Sequence, residues 1–131
     1  MAKQVRSILE EQGIPDAQVR SQIKQVTSPW FRFSVRYDPA PALRQLDVPV
    51  LALYGGTDLQ VPPGQNVEPM RSALRAGPSG DTTVRVLKGL NHLFQPAETG
   101  LPSEYAQIDT TMASSALQAV SSWIRERTSV E

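Results

Sequence analysis

The chain has 131 residues, a length that suits a single domain, and its 40% hydrophobic and 20% charged residues are typical of a folded globular protein. Thirteen basic and thirteen acidic residues balance to a net charge of zero. This balance argues against the strongly basic surface of a nucleic-acid binder, and it permits self-association.

Cysteine is absent and histidine occurs once, which limits the chemistry open to the chain. Disulfides, thiolate metal sites and a cysteine nucleophile are excluded, and a single histidine offers no metal cluster. No glycine-rich loop suits a phosphate, so we expect no cofactor. The polar N-terminus lacks the apolar stretch of a signal peptide, and no apolar run is long enough for a membrane helix. Cytoplasm is therefore the default expectation, although a signal upstream of residue 1 stays possible.

The first third of the chain has the apolar spacing of short helices separated by proline and glycine. The predicted helices cover residues 3–12, ending at Gly13; residues 16–26, with Asp16 as N-cap; a short aromatic segment around Trp30, Phe31 and Phe33; and residues 39–45, with Asp38 as cap and Pro39 at the first helical position. These helices precede any recognisable strand.

An apolar run over residues 50–54, bounded by Pro49 and Gly55, predicts a strand buried on both faces. It is followed by a predicted helix over 65–76, a turn at 77–80, a second strand over 82–87, a long loop over 89–103 and a final helix over 113–127. The final helix should bury a stripe formed by Ala116, Leu117, Val120, Trp123 and Ile124. A β-α-β-α order predicts an α/β fold with two parallel strands and a right-handed crossover.

Two residues with catalytic chemistry follow the two predicted strands. Asp58 comes just after the first strand, and His92 comes just after the second. Because parallel strands end at the same edge of a sheet, the two side chains should emerge together. A carboxylate there can accept the Nδ1–H of the imidazole, which leaves Nε2 free to act as a general base. An isolated aspartate after Gly-Gly is more often part of a turn, and an isolated loop histidine is more often structural, so the inference depends on the pair.

The segments around these two residues resemble α/β-hydrolases, in particular bacterial esterase-like members. PVLALYGGTDLQVPP (residues 49–63) resembles the acid-bearing strand and loop of that family, and VLKGLNHLF (residues 86–94) resembles its histidine loop. The segments over 28–53 and 95–108, the latter with GLPSEYAQI, are similar to the flanking regions. The resemblance covers about residues 28–127. It implies a partial α/β-hydrolase fold, with a helical segment derived from the cap over 1–36 and the C-terminal hydrolase section over 37–131.

The resemblance assigns Asp58 as the acid and His92 as the base of a Ser–Asp–His triad, in the family's chain order. The G-x-S-x-G motif of the nucleophile is absent, and so is the oxyanion-hole loop. Ser79, in the turn at 77–80, is rejected as a nucleophile because it lacks the second glycine and precedes a strand rather than a helix. Phe94, just after the histidine, is a candidate substrate-binding residue, with packing as the alternative.

The resulting expectation is the C-terminal portion of a serine hydrolase whose substrate is a small to medium acyl ester, with thioesters, amides and lactones as open alternatives. Without the nucleophile, the isolated chain should be inactive or weakly active. The alternative is a non-catalytic binding or oligomerisation domain that retains a hydrolase half-fold. A two-stranded sheet would leave an open edge beside apolar residues, so we also expect a homo-oligomer formed through that edge.

Overall fold

The computed structural model of the protein describes residues 3, 4, 6, 7 and 15–128. The chain divides into two compact units, Met1–Asp38 and Pro39–Glu131. The predicted helix over 3–12 lies for the most part outside the described residues, as does its predicted stop at Gly13. Within the described ranges, no helix combines the length and the apolar content needed to cross a bilayer.

The first unit contains α1 (Asp16–Val26) and α2 (Pro29–Ser34). Ser28 separates them, because its hydroxyl caps α2 by accepting the Phe31 N–H at 3.1 Å while Pro29 occupies the first helical position. The prediction that Asp16 caps α1 is wrong. Pro15 is the N-cap, and the Asp16 carboxylate lies inside the first turn, where it forms an ion pair with Arg20 one turn further along.

The second unit is a small α/β fold. Its elements are α3 (Ala40–Leu43), β1 (Val50–Gly55), α4 (Pro63–Arg75), β2 (Thr82–Leu87), a 3₁₀ helix (Pro102–Gln107) and α5 (Ser114–Thr128). The predicted β-α-β-α order is confirmed, and the two strands are parallel, with Val50 opposite Thr82. Two details differ: Pro39 is the N-cap of α3 rather than its first residue, and the loop after β2 contains the 3₁₀ helix.

The helices α4 and α5 cover opposite faces of the sheet. The Tyr54 hydroxyl donates to the Asn66 carbonyl of α4 at 3.4 Å. The Trp123 indole of α5 donates to the Thr83 hydroxyl at 3.2 Å. Since side chains alternate along a strand and Tyr54 lies opposite Val86, Tyr54 and Thr83 point to different faces. The unit therefore has three layers, with one helix on each side of two strands.

The apolar stripe of α5 is only partly buried, which corrects the sequence prediction. Ala116 is fully buried against Leu90 and Ala113, but Leu117 and Ile124 are 54% and 46% exposed. The physical reason is the width of the sheet, because two strands cannot cover the whole face of a 15-residue helix. The uncovered part forms an apolar groove between β1 and α5, lined by Pro49, Val50, Leu51, Leu53, Phe94, Val120, Trp123 and Ile124.

The C-terminal end of α5 is attached to the start of β2 by a charged pair. The Arg127 guanidinium donates twice to the Asp81 carboxylate, at 2.6 Å for each bond, and also lies 4.0 Å from the centre of the Trp123 ring. The hydrogen bonds from Arg127 lower the pKa of Asp81. This bidentate pair connects the last turn of α5 to the start of β2.

Candidate active site

The loops that follow β1 and β2 are joined by backbone hydrogen bonds at the carboxyl edge of the sheet. Gly56 N–H donates to the Leu87 carbonyl at 2.8 Å, and Thr57 N–H donates to the Leu90 carbonyl at 3.0 Å. Gly55 is required at this crossing, because a Cβ there would lie 2.5 Å from the Leu90 carbonyl oxygen. The close approach of the two loops brings Asp58, the residue after Thr57, next to the loop that carries His92.

The structure places Asp58 and His92 in direct contact. The Asp58 Oδ2 atom lies 2.9 Å from the His92 Nδ1 atom, and the Asp58 side chain is only 6% exposed. The other carboxylate oxygen accepts the backbone N–H groups of Gln60 and Val61 at 2.8 and 2.9 Å. With both oxygens occupied in this way, the carboxylate is held in one orientation towards the imidazole.

The charge of Asp58 is maintained by these contacts. Burial would raise the pKa of the carboxyl group, but the Val61 N–H, the hydrogen bond to His92 and the Gln60 N–H together hold its pKa below the ordinary value. An ionised carboxylate can only accept, so the hydrogen bond to His92 requires a proton on Nδ1. In the neutral imidazole, Nε2 is then the unprotonated atom.

The His92 ring is partly exposed beyond its contact with Asp58. Its side chain is 37% exposed, and among the described residues no side chain is hydrogen-bonded to Nε2. No hydroxyl of the described chain therefore stands in the place of a nucleophile. Ser79 is excluded by position as well: its hydroxyl donates to the Val48 carbonyl at 2.7 Å, at the amino end of the strands. The six residues of β2 separate that end from His92, a distance of roughly 20 Å.

The histidine loop is shaped by Asn91, a residue that the sequence analysis did not identify. Asn91 is fully buried, and its side-chain oxygen accepts the N–H groups of Leu93 and Gln95 at 2.9 and 3.0 Å. Its amide nitrogen donates to the Gln95 side chain, which in turn donates to the Thr110 carbonyl. These bonds close the loop tightly around His92. An asparagine directly before the histidine was the available signal, since such side chains commonly bond to nearby backbone groups.

A second loop supports the acid loop from outside. Gly100 adopts a left-handed φ of +74° and lies against the backbone of Thr57. The Glu104 carboxylate accepts the N–H groups of Thr99 and Gly100, the latter at 2.7 Å, and so fixes this turn. The Tyr105 hydroxyl accepts from the Gln60 side chain at 2.9 Å. The segment after the histidine therefore holds the acid loop in place, a role that the sequence alone did not indicate.

Phe94 also has a defined place. Its backbone is left-handed, with φ of +56°, and its carbonyl accepts the Ala113 N–H at 2.8 Å. The ring packs beside the cluster of Leu90, Ala113 and Ala116 and lines the apolar groove. These contacts agree with the alternative in which Phe94 packs against its neighbours. Contact between Phe94 and a substrate remains a prediction.

We expect the ionised Asp58 to make stability depend on pH on the acidic side. Its folded-state pKa is lowered, so its contribution is present above the unfolded value of about 3.9 and is lost as pH falls through the folded value. Chemical denaturation between pH 7 and pH 3 should show a smaller loss of unfolding free energy for Asp58→Asn than for the wild type. Asp47→Asn, at an exposed carboxylate, is the matched control and should lose as much unfolding free energy between pH 7 and pH 3 as the wild type. An equal loss for the wild type and Asp58→Asn would contradict the prediction.

Among the described residues there is no group of three or more His, Asp or Glu side chains that could hold a metal ion. Comparison of the chain with protein-family models, with curated proteins and with solved structures found no match to any of them.

Proposed function

We propose that this chain provides the acid and the base of a serine hydrolase that acts on carboxylic esters. The observation that supports the proposal is the 2.9 Å contact between the Asp58 carboxylate and His92 Nδ1, with Nε2 directed away from that bond. The resemblance of residues 49–63 and 86–94 to the acid and histidine loops of α/β-hydrolases supports the same assignment. The serine is supplied from outside the described residues.

The proposed reaction uses Nε2 of His92 as the proton carrier. His92 takes the proton of the serine hydroxyl while the serine oxygen forms a bond to the ester carbonyl carbon. The bond to the leaving alkoxide then breaks, and His92 returns the proton to that oxygen. In the second half of the reaction, His92 takes a proton from water while the water oxygen forms a bond to the acyl carbon. The bond from that carbon to the serine oxygen then breaks, and His92 returns the proton to serine as the acid is released. Asp58, whose two carboxylate oxygens are held by hydrogen bonds, keeps the imidazole in the Nδ1–H tautomer and stabilises its cation.

The tautomer can be tested directly because His92 is the only histidine in the chain. Nitrogen-15 NMR of the imidazole at neutral to alkaline pH should show a proton on Nδ1 and none on Nε2. Asp58→Asn should shift the population towards Nε2–H, the form that a solvated imidazole prefers, while Asp47→Asn should leave it unchanged. An Nε2–H tautomer in the wild type would contradict the proposed base role.

Ester turnover tests the catalytic role in the isolated chain. We expect slow hydrolysis of p-nitrophenyl acetate and butyrate, because the described chain contains neither a nucleophile at His92 nor an oxyanion hole. Whatever rate is present should fall on His92→Ala, whereas Lys88→Ala, an exposed neighbour, should retain it. Equal rates for His92→Ala and the wild type would exclude a catalytic role for His92 in this chain.

A second candidate function, oligomerisation, is favoured by the open side of β1. On the side of β1 that faces β2, the Val50 N–H donates to the Asp81 carbonyl and the Gly56 N–H donates to the Leu87 carbonyl. By alternation, Leu51 and Leu53 direct their backbone groups to the other side, where no strand of the described chain pairs with them. The apolar groove adjoins this edge and contains no charged residue. A charge-free surface can meet its own copy without repulsion, so the proposed occupant is a second copy of this chain related by a two-fold axis.

Sedimentation equilibrium tests this association. The wild type should be dimeric at micromolar concentration, and Val120→Lys, in the groove, should be monomeric. Val86→Lys is the matched control, because Val86 is similarly exposed, at 43% against 38%, but lies outside the groove. The proposed dimer would be overturned if the wild type is monomeric. It would also be overturned if Val120→Lys and Val86→Lys dissociate to the same extent.

A further inference from the structure

The 3₁₀ helix (Pro102–Gln107) contacts the acid loop on both sides of Asp58. Two consecutive residues of this helix, Glu104 and Tyr105, make these contacts by different routes. Glu104 holds the turn that lies against the residue before Asp58, and Tyr105 bonds to a residue two positions after it. Neither residue takes part in the proton transfers of the proposed reaction.

The first contact passes through Gly100. The Glu104 carboxylate accepts the N–H groups of Thr99 and Gly100 at 3.1 and 2.7 Å. Gly100, held in this way at a φ of +74°, lies directly against the backbone of Thr57. The side chain and the N–H of Thr99 lower the pKa of Glu104, so the carboxylate keeps the charge that strengthens these bonds. While this turn is closed, the start of the acid loop cannot move towards it.

The second contact joins two side chains. The Tyr105 hydroxyl accepts a hydrogen bond from the Gln60 amide at 2.9 Å. The backbone N–H of Gln60 donates to the Asp58 carboxylate at 2.8 Å, so Gln60 contacts both Tyr105 and the acid. A displacement of Gln60 therefore moves one of the donors that orient Asp58 towards His92. Because the bond to Tyr105 is exposed, it should contribute less than the bonds of the Glu104 carboxylate.

We propose that Glu104 and Tyr105 position the carboxylate of the acid loop for its bond to His92. Each acts through the backbone or a side chain of that loop rather than on the imidazole, so both are positioning residues. Their catalytic meaning rests on the proposed function, because a carboxylate held in place keeps the proton on Nδ1 and leaves Nε2 as the base. The positions come from a loop 40 or more residues further along the chain, at 104 and 105 against 58 and 60.

The test is the exchange of the His92 Nδ1–H proton with water, measured by proton NMR of the whole chain at neutral to alkaline pH. His92 is partly exposed, so this proton exchanges through local opening, and its rate reports how firmly Asp58 is held. Glu104→Ala removes hydrogen bonds to a charged group and should accelerate the exchange by about tenfold or more. Tyr105→Phe removes one exposed hydrogen bond and should accelerate it about two- to threefold.

Each variant has a matched control. Glu98→Ala removes a carboxylate from the same turn as Glu104, but the Glu98 side chain is exposed and makes no hydrogen bond within the described residues. Tyr37→Phe removes a tyrosine hydroxyl from the other compact unit. Both controls should retain the wild-type exchange rate of the imidazole proton.

A purely structural role would give a different result. The backbone N–H of Leu74, a fully buried residue of α4, exchanges through opening of the whole unit. If Glu104→Ala accelerates exchange at Leu74 but not at His92, Glu104 stabilises the fold without positioning the acid. Tyr105→Phe keeps the ring and loses only the hydroxyl, so it decides the proposal if Glu104→Ala does not fold.

A wild-type rate at His92 in either variant would remove that residue from the proposal, and so would an equal acceleration by its control. These results would leave the base role of His92 intact. A wild-type protein with no proton on Nδ1 would overturn both the positioning role and the proposed function.

Discussion

Replacing Gly100 with alanine is expected to lower the free energy of unfolding by about 3 kcal/mol or more, which corresponds to a fall in Tm of roughly 10–20 °C. Gly100 has a φ of +74°, which costs an alanine about 1 kcal/mol. The added Cβ would also overlap the Thr57 carbonyl oxygen and lie 2.9 Å from its carbonyl carbon. Because these are backbone atoms, the acid loop itself would have to move. Thermal unfolding followed by circular dichroism measures the effect.

Gly64→Ala provides the matched control for this substitution. Gly64 lies in the first turn of α4, has no atom within 4 Å of a Cβ position, and does not require a left-handed backbone. Alanine there should leave the stability unchanged or raise it by up to about 1 kcal/mol. If Gly100→Ala is as stable as Gly64→Ala, the close approach of the loop at Gly100 to Thr57 is not present in solution.

Replacing Asn91 with alanine should have the second-largest effect, a loss of about 3 kcal/mol. The substitution leaves the N–H groups of Leu93 and Gln95 without their acceptor, and it removes the donor to the Gln95 side chain. Asn91 is fully buried, so water cannot replace these bonds without opening the loop. We also expect the hydrogen-bonded Nδ1–H signal of His92 to weaken or disappear from the proton NMR spectrum at temperatures where the variant is still folded.

The control for Asn91 is Asn66→Ala. Within the part of the chain that the structure describes, the Asn66 side chain makes a single hydrogen bond, to the Pro62 carbonyl at 2.9 Å, and the residue is only partly buried. Its loss should cost about 1 kcal/mol or less and leave the His92 signal unchanged. A His92 signal that survives Asn91→Ala would show that the Asp58 contact orients the ring without help from the buried amide.

The Asp58–His92 contact illustrates what could be predicted from the order of residues along the chain. Apolar runs bounded by proline and glycine identify β1 and β2, and a helix between them favours the parallel pairing that is observed. Parallel strands end at the same edge, so the residues that follow them are brought together whatever the details of packing. Two positions 34 residues apart could therefore be paired without coordinates.

Capping and burial were less predictable, because they depend on which neighbour is present. Asp16 has the residue type of an N-cap, yet Pro15 takes that position and the carboxylate turns to Arg20. The stripe on α5 has the spacing of a buried face, yet Leu117 and Ile124 remain exposed because the described sheet ends at β1. Periodicity shows which face of a helix is apolar, but it does not show how much surface is available to cover that face.

By itself, the sequence determined the order of the elements, the parallel pair of strands and the position of Asp58 and His92 at one edge. Apolar spacing and turn residues define each element locally, and parallel strands end at the same edge of the sheet. Only the tertiary structure decided how the pair is held and what surrounds it. The buried amide of Asn91, the passage of Gly100 over Thr57 and the hydrogen bond from Gln60 to Tyr105 depend on how folded loops and separate elements meet in space. Such contacts leave no periodic signal in the chain, since each is set by the packing of particular side chains and backbone groups in three dimensions.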